Sequence, residues 1–158
     1  MLRLPPRRVS EHVPSDGNYE ARVRASFERQ QFMHTLGARL VRVVPGEVEV
    51  ELPTREALVQ QHGFLHAGAL ATVADSACGY AALSLMPAGA AVLSVEFKIN
   101  LLAPAAGDRV VARGRVLRAG RTITVCWCEV TAYDGANERL VATMVGTMMT
   151  VRDRGLSD

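Results

Sequence analysis

The chain has 158 residues, of which 49% are hydrophobic and 22% are charged. This length and composition fit one soluble globular domain with a sizeable core. A net charge of +2 and an aromatic content of 5% argue against binding to nucleic acid or to an anionic membrane surface, because those functions rely on dense positive charge and stacking aromatic side chains.

The first part of the chain predicts an arm followed by a helix. Residues 1–17 contain three prolines and scattered charge, which is typical of an arm rather than of a domain. Residues 19–36 place apolar side chains at helical spacing, and Gly37 is a natural stop. We therefore divide the chain into an N-terminal arm (1–17), one folded domain (18–152) and a C-terminal tail (153–158).

Six strand-like segments and one apolar helix make up the rest of the domain. The strand-like segments alternate apolar with polar side chains or are rich in β-branched residues, and turn-forming residues separate them. They cover residues 38–44, 47–52, 92–102, 109–118, 122–133 and 140–151. The apolar helix is predicted over residues 67–85. The order of elements predicts an α+β fold in which a long antiparallel sheet wraps around one central apolar helix.

Asp75 is the most informative residue of this helix. No other Asp, Glu, Lys or Arg occurs between residues 57 and 95. The apolar run is long enough to suggest a membrane span, but the central carboxylate and the many small residues favour a buried helix instead. Burying a lone carboxylate is costly, so such a group usually has a partner or a function.

The start of the same helix carries a second signal. His66 lies nine residues before Asp75, where free backbone N–H groups and the positive end of the helix dipole are expected. A backbone that stabilises an anion, followed two to three turns later by a buried carboxylate, indicates a hydrolytic site. The His66 side chain itself fits a group that fixes the helix start better than a catalytic imidazole.

The chain also contains three cysteines, Cys78, Cys126 and Cys128. Their odd number, and an N-terminus without the apolar core of a secretory signal, favour a reducing compartment, and we expect the protein to be cytoplasmic. No Cys/His spacing supports a zinc site, so we expect no metal and interpret the cysteines as core residues.

Two sequence blocks resemble a known family. The segment Gly-Phe-Leu-His-Ala-Gly at 63–68 with Asp75, and Ser-Val-Glu-Phe-Lys-Ile-Asn-Leu-Leu-Ala-Pro at 94–104, are similar to the hotdog-fold acyl-CoA thioesterases of the phenylacetate-pathway (PaaI-like) group. The similarity covers about residues 32–151. It implies a hotdog fold, a homodimer or homotetramer with active sites at the dimer interface, and hydrolysis of an acyl-CoA or aryl-CoA to the free acid and CoA.

The resemblance also implies roles for individual residues. The backbone N–H of Ala67, together with Gly68, would polarise the thioester carbonyl. Asp75 would act as general base on water or as nucleophile. Gln60 and Ser94 would hold the carbonyl or orient the water. The usual His-Gly-Gly of the family is His-Ala-Gly here, which keeps the N–H but adds a Cβ close to the substrate.

Coenzyme A enters only as part of the substrate, and no separate cofactor is expected. Its phosphates suit the turn that contains Arg118, Gly120 and Arg121, because arginines near a loop glycine can hold phosphates. A solvated turn is the equal alternative. The apolar candidates for the acyl pocket are Phe64, Leu65, Tyr80, Leu83 and Met86. Gly79 and Ala82 fit close packing of the helix on the sheet.

Two other functions stay open at this point. A hotdog hydratase or dehydratase would act on hydroxyacyl or enoyl thioesters, but it needs a paired His and acid, usually in a proline-rich loop. A non-catalytic acyl-CoA-binding protein would leave Asp75 without a purpose. Aryl and aliphatic acyl groups suit the candidate pocket residues equally well.

Overall fold

The computed structural model describes residues 12–152, 154–156 and 158. Most of the predicted N-terminal arm and part of the C-terminal tail lie outside these residues. Among the described helices, none has the length and hydrophobicity needed to cross a membrane.

Two short helices, α1 over Tyr19–Glu28 and α2 over Gln31–Leu36, replace the single helix predicted over residues 19–36. The prediction was wrong because Gln30 is extended, with φ −78° and ψ 96°. The buried side chains of the two halves would be about a quarter of a turn out of phase on one straight helix, so the break lets both groups reach the core. These side chains are Val23, Ser26, Phe27, Met33 and Leu36.

Six strands form one antiparallel sheet in the order β1-β2-β4-β5-β6-β3. The strands are β1 Arg39–Val44, β2 Glu47–Pro53, β3 Ala91–Leu101, β4 Arg109–Ala119, β5 Ile123–Asp134 and β6 Asn137–Val151. All six predicted strands are confirmed, with ends that shift by at most three residues. Strand β3 lies at one edge of the sheet, paired only with β6.

The central helix α3 spans Ala67–Leu83 and packs on the inner face of the sheet. It lies tightly against β4, where a Cβ added to Gly114 would overlap the backbone of Ala77 and lie 2.7 Å from Cys78 N. A glycine is therefore required there, because any side chain would push the helix off the sheet. The predicted α+β architecture, a long sheet around one apolar helix, is confirmed.

Gly114→Ala is expected to destabilise the protein by about 1–3 kcal/mol, the usual cost of overpacking a core. Gly79→Ala is the matched control, since a Cβ there meets no atom within 4 Å and alanine favours the helix. Urea unfolding of both variants would measure the difference. An unchanged midpoint for Gly114→Ala would contradict the tight contact described here.

Candidate active site

Asp75 and Ser94 meet between α3 and β3. Ser94 Oγ donates a hydrogen bond to Asp75 Oδ1 at 2.7 Å. A register shift in the pairing of β3 with β6 lies between Ser94 and Glu96, and such a bulge turns side chains on its two sides toward the same face. Ser94 and Phe97 therefore both point inward, toward α3. Strict alternation along β3 would have turned one of them to the outer face.

Burial raises the pKa of Asp75, and the hydrogen bond from Ser94 opposes that rise with a smaller lowering effect. No ion pair to this carboxylate occurs within the described part of the chain. The carboxylate is therefore partly desolvated, oriented by one hydroxyl and without a counter-charge. A carboxylate in this condition is a stronger base than one in water.

Asp75 lines a groove of about 380 Å³ that runs along α3, between the start of α2 and β3. Phe32 and Phe97 line it as well, and they are 58% and 44% exposed. Exposed aromatic rings beside a half-buried carboxylate form an apolar place for a ligand next to a reactive group.

The start of α3 has one backbone donor without a partner. His66 Nδ1 accepts a hydrogen bond from Gly68 N–H at 2.9 Å, and His66 O accepts from Ala69 N–H at 3.0 Å and from Leu70 N–H. This leaves the N–H of Ala67 unpaired among the described residues. His66 is thus the helix cap, as the sequence favoured, and the Gly68 N–H that the sequence also considered is already engaged.

Ala67 and Asp75 are far apart within one chain. Asp75 lies eight residues after Ala67 on a continuous α-helix, which corresponds to about 12 Å along the axis. An oxyanion donor and a base that act on the same carbonyl group must each lie about 3 Å from the reacting atoms. The two groups of one chain therefore cannot serve the same thioester.

Gln60 lies near the start of α3 and not near Asp75. It lies in the loop before α3, where its Oε1 accepts a hydrogen bond from His62 N–H and its own N–H donates to Phe64 O at 2.8 Å. It does not line the groove that contains Asp75. The structure thus brings Ser94 to Asp75 but leaves Gln60 near the start of the helix.

The candidate phosphate-binding turn lies away from both Asp75 and the start of α3. Gly120 N–H donates to Ile123 O at 2.9 Å, which closes the β4–β5 turn. Gly120 and Arg121 line a second cavity of about 240 Å³ beside the C-terminal end of α3, together with Arg152. Arg118 is exposed on the same hairpin but does not line that cavity.

Of the five residues predicted for the acyl pocket, one lines the groove that a single chain forms. Tyr80 lines the groove, but the remaining four do not: Phe64, Leu65, Leu83 and Met86. The last three of these belong to the core. The expected packing role of Gly79 is wrong, because its Cβ position faces open space rather than the sheet.

Sequence reasoning also missed groove residues from α2 and the residue before it. Gln30, Phe32 and Met33 reach the groove from there. Their contribution depends on the break at Gln30, which the apolar spacing of residues 19–36 conceals. A polar residue at the junction of two out-of-phase apolar groups is the signal that could have revealed it.

Comparison with known proteins gives consistent results. The model of the thioesterase superfamily matches residues 62–138. A thioesterase family protein from Silicibacter pomeroyi, whose crystal structure is known, is 53% identical, with 85% of this chain and 98% of that chain covered and a TM-score of 0.84. The proofreading thioesterase EntH of Klebsiella pneumoniae is 29% identical over 127 residues, which is 80% of this chain and 90% of that protein.

The E. coli PaaI protein from the phenylacetic acid degradation operon shares the fold. It superimposes with a TM-score of 0.76 at 24% identity, covering 85% of this chain and 94% of that chain. The hotdog fold and the thioesterase family expected from the sequence are therefore confirmed.

Asp75→Asn is expected to raise the melting temperature at neutral pH. A carboxyl group whose pKa is raised in the folded state destabilises that state when it ionises. This penalty is absent below the ordinary pKa of 3.8, and it grows as the pH rises through the higher pKa of the folded state. The increase in melting temperature should therefore be largest at neutral pH and vanish in acid. Thermal melts of the variant and the wild type from acidic to neutral pH would measure it.

Asp134→Asn is the control for that experiment, because Asp134 is exposed at the end of β5. A gain for Asp75→Asn that is equal at every pH, or equal to that of the control, would contradict a desolvated carboxylate at position 75.

Proposed function

The chain belongs to the thioesterase superfamily and is a thioester hydrolase, and we propose that it hydrolyses acyl-CoA to the free acid and CoA, with Asp75 as general base or nucleophile. The observation that carries this proposal is the Asp75 carboxylate, desolvated and held by Ser94 in the wall of a groove large enough for an acyl group. Family membership favours hydrolysis over the hydratase and binding-protein alternatives.

The active site is proposed to be shared between two copies of the chain. Ala67 N–H of one copy would serve the thioester that Asp75 of the other copy attacks, since the two groups are too far apart within one chain. The exposed edge of β3 supports this pairing, because it presents apolar side chains that a second copy would cover. Leu93, Val95 and Phe97 are 45%, 54% and 44% exposed.

A homodimer formed along β3 is therefore the proposed unit. Two such dimers would form a homotetramer through the outer face of the sheet, where Leu117, Ile123 and Val145 are exposed. Exposed aliphatic side chains on a sheet face are suited to burial against a second sheet.

The proposed chemistry needs few groups because a thiolate leaves readily. Asp75 takes a proton from water as the water oxygen attacks the carbonyl carbon, or its own oxygen attacks and water then opens the resulting anhydride. The negative charge on the carbonyl oxygen is stabilised by Ala67 N–H at the positive end of α3. The carbon–sulfur bond then breaks, and CoA leaves as a thiolate that takes up a proton.

The supporting residues have narrower proposed roles. Ser94 orients Asp75 and the attacking water, and His66 holds the first turn of α3 so that Ala67 N–H stays free. Gln60, in the loop before α3, would help to hold the carbonyl group or the water from the same side as Ala67.

The nucleotide end of CoA is proposed to bind at the β4–β5 turn. Arg118 and Arg121 are exposed and have no acidic partner within the described residues, so both can contact phosphate. Gly120 shapes the turn between them. We place the protein in the cytoplasm, where its three cysteines would stay reduced.

Thiol release from a panel of aliphatic and aryl acyl-CoAs tests the proposed reaction. Wild type should release thiol, and Asp75→Asn should lose about 100-fold or more in kcat/KM, because asparagine keeps the shape of the side chain but cannot accept the proton. Asp134→Asn should match wild type. Binding of acyl-CoA without thiol release by the wild-type protein would refute the proposal.

A further inference from the structure

The Ser94 hydroxyl has two acceptors within reach but only one hydrogen to donate. Its Oγ lies 2.7 Å from Asp75 Oδ1 on α3 and 3.4 Å from the sulfur of Met148 on β6. The carboxylate takes this hydrogen while it is charged, because a hydrogen bond to an ionised group is about twice as strong as a neutral one and a thioether is a weak acceptor. The sulfur therefore stands beside the catalytic pair without taking part in it in this state.

The position of the Met148 sulfur is set by the packing of the sheet. Met148 lies directly opposite Ser94 in the pairing of β3 with β6, and its side chain is fully buried. Its terminal methyl group occupies space that Gly146 leaves free, since a Cβ added to Gly146 would lie 2.9 Å from Met148 Cε. A side chain at position 146 would push the methyl group away, and the sulfur with it.

A protonated Asp75 changes the demand for acceptors. The neutral carboxyl group carries an O–H that needs an acceptor of its own. The Ser94 oxygen lies at hydrogen-bond distance, but it can accept from Asp75 only after its own hydrogen has turned away from the carboxyl group. Among the described residues, the Met148 sulfur is the other acceptor within reach of that hydrogen.

We propose that Met148 is a positioning residue of the reaction, whose sulfur receives the Ser94 hydrogen when Asp75 holds a proton and so favours proton transfer from water to Asp75. This inference rests on the proposed thioesterase function and adds a residue to its machinery. One O–H bond of water breaks and one O–H bond forms on Asp75, while Ser94 keeps a single hydrogen as it turns. Without the sulfur, that hydrogen would be left in the buried site with no acceptor, which is costly.

Three thiols lie close to Asp75 on the side of the core. Cys78, three residues further along α3, interacts electrostatically with Asp75. A hydrogen bond with Cys126 lowers the pKa of Cys78, but a hydrogen bond with Cys128 and burial hold it well above its ordinary value. A hydrogen bond with Cys78 and burial raise the pKa of Cys126 as well. Cys78 and Cys126 therefore stay neutral where Asp75 titrates.

The groove carries two further ionisable side chains, Tyr80 and Asp158. Burial raises the pKa of Tyr80, so this phenol keeps its proton over the same range. Asp158 is a second carboxyl group, and each comparison below is therefore repeated in the Asp158→Asn background. The groove residues that α2 and β3 contribute carry no charge.

Met148→Leu tests the proposal because it removes the sulfur and nearly conserves the volume. The protonated state of Asp75 should become less stable, so the acid limb of the kcat/KM profile should move to lower pH by about half a pH unit, the effect of one weak hydrogen bond. Met144→Leu is the matched control, since Met144 is equally buried on the same strand. It has no hydrogen bond to Ser94 within the described residues, and its replacement should leave the acid limb in place.

A second comparison assigns the effect to the Ser94 hydroxyl. In the Ser94→Ala background, Met148→Leu should no longer move the titration of Asp75, because no hydroxyl hydrogen then needs the sulfur. A ¹³C NMR titration of the Asp75 carboxyl group, assigned with Asp75→Asn, measures the same shift in every variant without turnover.

The outcomes separate this inference from the function on which it rests. An Asp75 titration that stays in place in Met148→Leu would show that Ser94 donates to Asp75 in both protonation states, and it would overturn the inference while leaving the thioesterase intact. An equal shift in Met144→Leu, or a shift that persists without the Ser94 hydroxyl, would overturn it as well. No thiol release from any acyl-CoA would overturn the proposed function, whereas the NMR titration would still decide whether the sulfur stabilises the protonated carboxyl group.

Discussion

The hydrogen bond between Ser94 and Asp75 is the contact on which the rest of the site depends. It joins the central helix to the edge strand, and it exists because two local irregularities coincide. The bulge near Ser94 turns that side chain inward, and Gly114 lets the helix lie directly on the sheet. Without either feature, the carboxylate would stand in an apolar groove with no orienting partner, at a higher cost.

The geometry of one helix imposes the second constraint. Its first turn offers the N–H of Ala67, which has no partner in the described part of the chain, and its middle carries Asp75. A rigid α-helix holds these groups about 12 Å apart. A site that uses both must therefore combine two chains. In the proposed homodimer, the exposed apolar edge of β3 and the separation of Gln60 from the groove have a common explanation, because a second copy would complete both surfaces.

Regular patterns in the sequence predicted the regular parts of the structure. Six strands, the buried helix and the isolation of Asp75 follow from apolar periodicity and from charge that is absent over a long segment. The irregular parts were not predictable in this way. A bulge changes which face Ser94 occupies without changing composition, and the extended Gln30 breaks a pattern that reads as one helix. Gly79 and Gly114 look alike in sequence, yet one faces open space and the other a helix backbone, since only the packing distinguishes them.

Co-expression of two inactive variants tests the shared site most directly. Ala67→Pro removes only the N–H, because proline is well tolerated at the first position of a helix and His66 already has the extended backbone, with ψ 139°, that precedes proline. If Ala67→Pro and Asp75→Asn chains pair at random, half of the dimers are mixed, and each mixed dimer has one intact site out of two. About a quarter of wild-type thiol release should therefore return. A co-expressed mixture as inactive as either variant alone, with mixed dimers demonstrated, would contradict the account.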